Sequence, residues 1–460
     1  MVKQSLRQLP SVHQLIEELK PQPITKDIPP ETLTEAARLI LGSIRKDFTT
    51  KRIHAIPTKE QIHTQILQQL SSRFKPYHRV INATGVLLHT NLGRSPLPEN
   101  VSIAMNEAHT YCDLEFDLVT GKRTSRLRGV SELLTKTTGS DSGLVVNNCA
   151  AALILSLSCL HQNKPVAISR GQLIEIGGGF RLPSMISAAG VELMEVGTTN
   201  RTRLSDFQEA AEAGAKLFVV VHRSNFSQVG YVEEPTLGEL VKLAKPYGAK
   251  VIYDQGTGCI VDTEKWNLPK APTVQEGIAQ NVDLTIFSTD KLLGGPQGGA
   301  IVGSEELIAQ LKKHPLARAF RCDKIQLAGI MATLDIYRKK REHIDIPLFR
   351  QLNTSLEKLQ ARVEYWRSQA GYGEVITAID TVGGGTMPTS EIQSVALAIS
   401  SSYPQELANA LRHHDLPIIG HISENQLKLH PRAISENDDQ EVISALIELR
   451  PLCKTLENKR

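Results

Sequence analysis

"VDLTIFSTDKLLGGPQGGAIVGS", residues 282–304, holds two apolar runs with a single lysine, Lys291, and two glycine pairs between them. A run apolar on both faces reads as a strand buried in a parallel sheet. Runs of the same texture recur as "LVVNN" (144–148), "PVAIS" (165–169), "VELMEVG" (191–197), "KLFVVVH" (216–222), "KVIYD" (250–254), "LTIFST" (284–289) and "AIVGS" (300–304). With helical stretches between them, they predict an α/β fold around a mostly parallel seven-stranded sheet. Several runs end in polar residues: Asn148, Ser169, His222, Asp254 and Ser288. Ligands of open α/β sheets gather at the carboxyl ends of strands, so the active site is expected among these tails.

The rest of the chain sets the organisation. A length of 460 residues calls for two or three domains. No apolar run is long enough for a transmembrane helix, and the N-terminus lacks a signal-peptide core, which predicts a cytoplasmic protein. The six cysteines, at 112, 149, 159, 259, 322 and 453, form no C-x-x-C pair and read as buried free thiols rather than a metal site or disulfide framework. Residues 1–75 contain twelve Lys/Arg against seven Asp/Glu, a surplus that suits a polyanionic partner. Two helices are expected there, one with apolar residues at 12, 15, 16 and 19, the other with a stripe of Leu33, Ala36, Leu39, Ile40 and Ile44; residues 58–74 suit a third helix or a linker. "KIQLAGIMATLDIYRKK" reads as a long connecting helix. The expected division is 1–75 helical, 76–325 large α/β and 326–460 small α+β.

Four features point to one cofactor. "NNCAA" opens a helix with small residues at Cys149 and Ala150 after Asn148, a setting in which backbone N–H groups converge on a phosphate. Asp254 ends a strand before glycines, Lys291 follows 37 residues later at another strand end, and Ser288 could add a hydroxyl. This order suits pyridoxal 5'-phosphate in an aminotransferase-like (fold type I) enzyme. Lys291 would bind the aldehyde and Asp254 the ring nitrogen. Gly294 and Gly295 are expected to clear space for cofactor or substrate. The Ser-x-x-Lys of "STDK" lacks the companion motifs of penicillin-binding hydrolases.

Longer segments carry a resemblance across nearly the whole chain. "RQLPSVHQLI" (7–16), "VINATGVLLHTNLGRSPL" (80–97), "SRGQLIEIGGGFRLP" (169–183), "EVGTTNRT" (195–202), "DKLLGGPQGG" (290–299) and "HPLARAFRCDK" (314–324) resemble bacterial selenocysteine synthases, the L-seryl-tRNA(Sec) selenium transferases. The resemblance implies conversion of seryl-tRNA(Sec) to selenocysteinyl-tRNA(Sec) through an aminoacrylyl-tRNA, with selenophosphate as donor. It implies that Arg94, Arg318 and Arg321 bind the donor's phosphate, that Gln172 and Asn225 bind the cofactor with Gln172 and Arg223 flanking it, and that the N-terminal module grips tRNA(Sec). It also implies a decamer built as a ring of dimers, with Arg94 acting on the neighbouring subunit, and neither membrane nor DNA as partner. Four positions depart from the family pattern: Gln172 for a usual Glu, Arg223 for Thr, His421 for Arg and His430 for an acid. The other readings are a pyridoxal-phosphate lyase acting on a small amino acid or sugar acid, and a tRNA-binding paralogue without catalysis.

Overall fold

The computed structural model describes residues 9–22, 25–26, 28–49, 56–73, 77–383 and 385–457. Of the N-terminal cations counted above, Lys3, Arg7, Lys51, Arg52 and Lys75 lie outside the described residues. The chain divides into two compact units, Met1–Val80 and Ile81–Arg460.

The first unit is built on helices Val12–Leu19, Pro30–Thr49 and Lys59–Arg73. Ser11 caps the first of them, its hydroxyl accepting the Gln14 N–H at 3.2 Å. Leu15, Ile16, Leu19, Leu33, Ala36, Ala37, Leu41, Ile44, Ile62, Ile66 and Leu70 form its core. Of residues 58–74, which suited a helix or a linker, 59–73 are helical because Ile62, Ile66 and Leu70 repeat every four residues on the core side, and residue 74 lies outside the described residues. Leu39 departs from expectation and is 52% exposed. With a step of 100° per residue, the stripe through Ala37, Leu41 and Ile44 turns Leu39 away from the core.

In the second unit the strands are, in chain order, β1 (Ile81–Ala83), β2 (Ser142–Val146), β3 (Val166–Ser169), β4 (Glu175–Ile176), β5 (Phe180–Arg181), β6 (Leu193–Val196), β7 (Leu217–Val221), β8 (Lys250–Gly256), β9 (Leu284–Ser288), β10 (Gly299–Gly303), β11 (Glu374–Asp380), β12 (Ile392–Ser400), β13 (Ile418–Ser423) and β14 (Gln426–Leu429). Seven of them form one sheet in the order β2-β10-β9-β8-β7-β3-β6. Only β10 runs antiparallel to its neighbours; β9, β8, β7, β3 and β6 pair in parallel. All seven runs read as strands from the sequence lie in this sheet. Helix Cys149–Leu160 packs on one face among Ile168, Val219 and Ile286, while Phe218, Val251 and Tyr253 meet other helices on the opposite face. Burial on both faces explains the unbroken apolar runs.

A second sheet, β1-β13-β14-β12-β11, gathers the C-terminal strands around β1, which pairs in parallel with β13. Where β11 ends, a buried charge cluster forms. Asp380, with no exposure, accepts His430 Nδ1 at 2.7 Å and Arg432 Nε at 2.9 Å. The same Arg432 donates to the carbonyls of Gln351, Thr354 and Gln393, so each face of its guanidinium is used. His430 lies against the turn at Gly85, and its ring is 6.2 Å from that of His421. Thr381 exchanges backbone bonds with Gly85 and Leu87, so the cluster underpins the segment that leads to Arg94. The cysteine expectation holds only in part: none of the six is in a disulfide among the described residues, Cys259 and Cys322 are buried, and Cys112 is exposed.

Candidate active site

Lys291 stands on a turn closed from three sides. The buried Thr289 accepts Gly295 N–H on its carbonyl and donates its hydroxyl to Pro296 O at 2.5 Å. Leu292 N–H bonds to Thr257 O at 3.0 Å, and Tyr337 of helix Lys324–Arg338 donates to Leu293 O at 2.9 Å. The turn is therefore fixed by a neighbouring strand tail and by a helix, as a reactive amine requires. Its Nζ donates to Gly256 O at 3.3 Å, two residues beyond Asp254.

A bulge in β8 places that carbonyl. Between Asp254 and Gly256 the register against β9 shifts by one residue. The extra residue, Gln255, is fully buried; its Oε1 accepts the Thr257 and Gly258 N–H groups, and its Nε2 donates to Pro272 O. Gly258, at φ +71°, passes so close to β9 that a Cβ would lie 2.2 Å from Ser288 O. Only glycine fits there. The glycines after the lysine serve a different purpose from the one expected. A Cβ at Gly294 would meet Ile346 at 2.5 Å, and one at Gly295 would meet Thr333 and Thr289. They allow the lysine's turn to pack on protein.

Helix Cys149–Leu160 begins beside Asp254. Asn148 caps it, its Oδ1 accepting the Ala151 N–H at 2.8 Å, and Ala152 makes the first intrahelical bond, to Asn148 O. The Cys149 and Ala150 amides thus precede the helix ladder and lie at its positive end. Cys149 Sγ donates to Asp254 Oδ1 at 3.6 Å, and Ser288 bonds to the same thiol. Burial and the Asp254 charge push that thiol well above its ordinary value, so it is a packed, unreactive group.

Burial likewise pushes the Asp254 carboxyl up to about 6, against the opposing pull of Lys291 and Cys149. Since the folded value exceeds the ordinary 3.8, ionised Asp254 costs the cofactor-free chain about 3 kcal/mol above pH 6. That cost fades as pH falls through 6 towards 4. Asp254→Asn is therefore expected to stabilise the cofactor-free chain by about 1–3 kcal/mol at pH 8 and by about half as much at pH 5. Urea unfolding at the two pH values checks this.

Two further residues complete its wall, His222, named from the sequence only as a strand tail, and Glu234, not named at all. His222 follows β7, its N–H bonded to Asp254 O at 2.9 Å; burial, then Arg223 and Lys291, push its imidazole down to about 4, which keeps it neutral at pH 7. Its place at a strand tail was the available signal. Glu234 gave none, because it lies in a loop. It accepts Arg223 NH1 at 2.7 Å and Gln172 Nε2 at 3.3 Å, so two departures from the family pattern meet on one carboxylate. Gln172 Oε1 also accepts the Val221 N–H at 2.8 Å. Asn225 donates to Glu175 O at 2.7 Å while its buried Oδ1 has no partner among the described residues.

The arginines separate into two groups. Arg94, held at φ +63°, pairs with Asp290 of its own chain at 2.6 Å, next to Lys291. Arg321 forms a backbone bridge with Val146, and Phe320 O accepts the Asn147 N–H, which sets this segment beside the helix start. Burial, then the charges of Arg126 and Arg318, push Arg321 below its ordinary value. Arg126, a third cation missed by sequence reading, is held by Glu115 and by Cys322 O. Like charges crowded in this way suit an anion.

A family model described as L-seryl-tRNA selenium transferase matches residues 80–435. The chain belongs to this family. Similar proteins include the L-seryl-tRNA(Sec) selenium transferase of Geobacter sulfurreducens, 37% identical over 457 residues, covering 96% of this chain and 98% of that protein. That of Aquifex aeolicus is 38% identical over 458 residues, covering 97% and 99%. Among solved structures, a D-glucosaminate-6-phosphate ammonia-lyase aligns with a TM-score of 0.60 at 17% identity, over 85% of this chain and 99% of that one. That likeness shows the fold alone, the aminotransferase-like fold type I expected from the sequence.

Proposed function

We propose that the chain converts seryl-tRNA(Sec) to selenocysteinyl-tRNA(Sec) with pyridoxal 5'-phosphate as cofactor and selenophosphate as donor. The observation that carries this is the convergence of Lys291, Asp254 and the start of helix Cys149–Leu160 at the strand ends, in a member of the transferase family. The residues fit the cofactor: an amine fixed by its turn, a buried carboxylate, and two amides at a helix N-terminus beside a buried hydroxyl. Lys291 would hold it through Nζ, Asp254 would hold its ring nitrogen, and the Cys149 and Ala150 amides with Ser288 Oγ would hold its phosphate. Asn148 shapes that turn, and Gln172 and Asn225 flank the ring. Bound there, the cofactor supplies an electron sink for the carbon that loses its α-proton.

Lys291 Nζ then takes the α-proton, and the β-hydroxyl leaves as water. Selenium from selenophosphate adds to the β-carbon, water cleaves its Se–P bond to release phosphate, and Lys291 returns the proton to the α-carbon. Asp254, ionised at neutral pH, balances positive charge across the ring. Arg318 and Arg321, with Arg94 near the lysine, hold the donor's tetrahedral anion, a shape that guanidinium groups match well. Arg318→Ala is expected to release the β-hydroxyl at close to the normal rate yet slow selenium addition by about 10²-fold, the loss typical of one oxyanion donor. Rapid-quench analysis of the tRNA-bound amino acid separates these two steps.

The N-terminal unit's basic balance supports tRNA(Sec) as the partner, a cytoplasmic setting and a homodecamer complete the proposal, and the division into 1–75, 76–325 and 326–460 assigns tRNA gripping to the first and cofactor binding to the second, with a small α+β domain as the third. No helix among the described residues is long and apolar enough to cross a membrane. Incubating the protein with seryl-tRNA(Sec), pyridoxal phosphate and selenophosphate should yield esterified selenocysteine. Recovery of serine alone would overturn the proposal.

A further inference from the structure

We infer that the phosphate backbone of the tRNA docks on one face of helix Pro30–Thr49, around Gly42. This rests on the tRNA reading above and assigns it a surface. The helix buries Leu33, Ala36, Ala37, Leu41 and Ile44. On the opposite side, Arg38, Gly42, Arg45 and Thr49 follow one another at helical spacing, with Lys46 beside them, and all five are exposed.

Gly42 is the unusual member. Glycine is the poorest helix former after proline, and this one sits mid-helix without a positive φ to require it. No described residue lies within 4 Å of the position a Cβ would take, so no described neighbour in the fold excludes a side chain. What needs the space must approach from outside. Arg38 lies one turn before the bare backbone, and Arg45 and Lys46 lie one turn after it. Neither Arg38 nor Arg45 forms an ion pair with a described residue. Glu31 and Glu35 share the stripe but sit near the helix N-terminus, where acids complement the dipole. The C-terminal half therefore presents cations around a shallow saddle, with exposed Leu39 at its border.

A nucleic-acid backbone matches this surface. Phosphates meet the arginines, and the missing side chain lets a sugar–phosphate strand approach the helix closely. Such contacts read duplex shape rather than base sequence, as expected for an A-form arm of tRNA. They also make affinity depend steeply on salt.

The experiment measures tRNA(Sec) binding by the full-length, cofactor-loaded protein across a salt series. It compares the parent with Arg38→Ala/Arg45→Ala and with Gly42→Leu. The double variant should bind about tenfold weaker or worse, with a salt slope shallower by about two. Gly42→Leu should keep or raise the thermal midpoint, since leucine favours the helix, yet weaken binding about tenfold. Cofactor absorbance should be unchanged in both. Parent-like affinity and slope in both variants would overturn the inference while leaving the tRNA reading intact. Losses seen only with phosphatidylserine vesicles would also overturn it, in favour of a lipid surface. A parent protein that does not bind tRNA(Sec) would instead defeat the underlying reading.

Discussion

Lys291→Ala is expected to leave a folded protein that turns over seryl-tRNA(Sec) at least about 10³-fold more slowly than the parent, through loss of both the attachment point and the proton carrier. Folding should survive because the turn's backbone is hydrogen-bonded to the Thr257 and Thr289 carbonyls and to the Thr289 and Tyr337 hydroxyls, with the Lys291 side chain contributing one 3.3 Å contact to Gly256 O. Added pyridoxal phosphate should no longer be trapped on the chain by borohydride, which mass spectrometry of the 287–299 peptide detects. Arginine at 291 should behave like alanine, because a guanidinium keeps its charge and cannot take up the aldehyde. A variant that still fixes the cofactor covalently would remove this lysine from the proposal.

The second large effect lies away from the chemistry. Asp380→Asn is expected to destabilise the protein by about 3–5 kcal/mol, because it strands a buried Arg432 without its counter-charge. The guanidinium would keep three carbonyl acceptors but lose its counter-charge, and the single amide oxygen could accept only one of the contacts now made by His430 at 2.7 Å and Arg432 at 2.9 Å. Denaturant unfolding reads the loss directly. Any activity that remains should show a raised KM, since Thr381 and Gly85 carry the cluster's position towards Arg94. Replacing Asp380 and Arg432 together by apolar residues should restore part of the stability, as removing both charges avoids the unpaired one. An Asp380→Asn variant within about 1 kcal/mol of the parent would show that the cluster does not depend on charge.

Much of the fold was legible because it rests on local pattern. The seven apolar runs became the seven strands of the main sheet, since a strand buried on both faces must be apolar throughout. Lys291, Asp254 and Asn148 were legible for the same reason: each sits where such a run stops. The helix Lys324–Arg338 also formed as read, although its Tyr337 contact to the lysine's turn gave no sign in sequence. Gly294 and Gly295 were visible as a turn, but their cause was misassigned. Whether a glycine clears space for a ligand or for Ile346 and Thr333 depends on what the chain packs there.

The sequence by itself determined which apolar runs become strands, the places of Lys291 and Asp254 where such runs stop, and membership of a transferase family. Tertiary structure alone decided which distant groups meet. Arg94 and Asp290 are 196 positions apart and Cys149 and Asp254 are 105 apart, yet each pair is in contact. Gln172 and Arg223 share Glu234, and His430 shares Asp380 with Arg432. Periodicity records which side of an element is buried. It carries no record of which charge on another element will be brought to face it, because that is set by the sheet's crossovers and by the requirement that each buried charge find a partner.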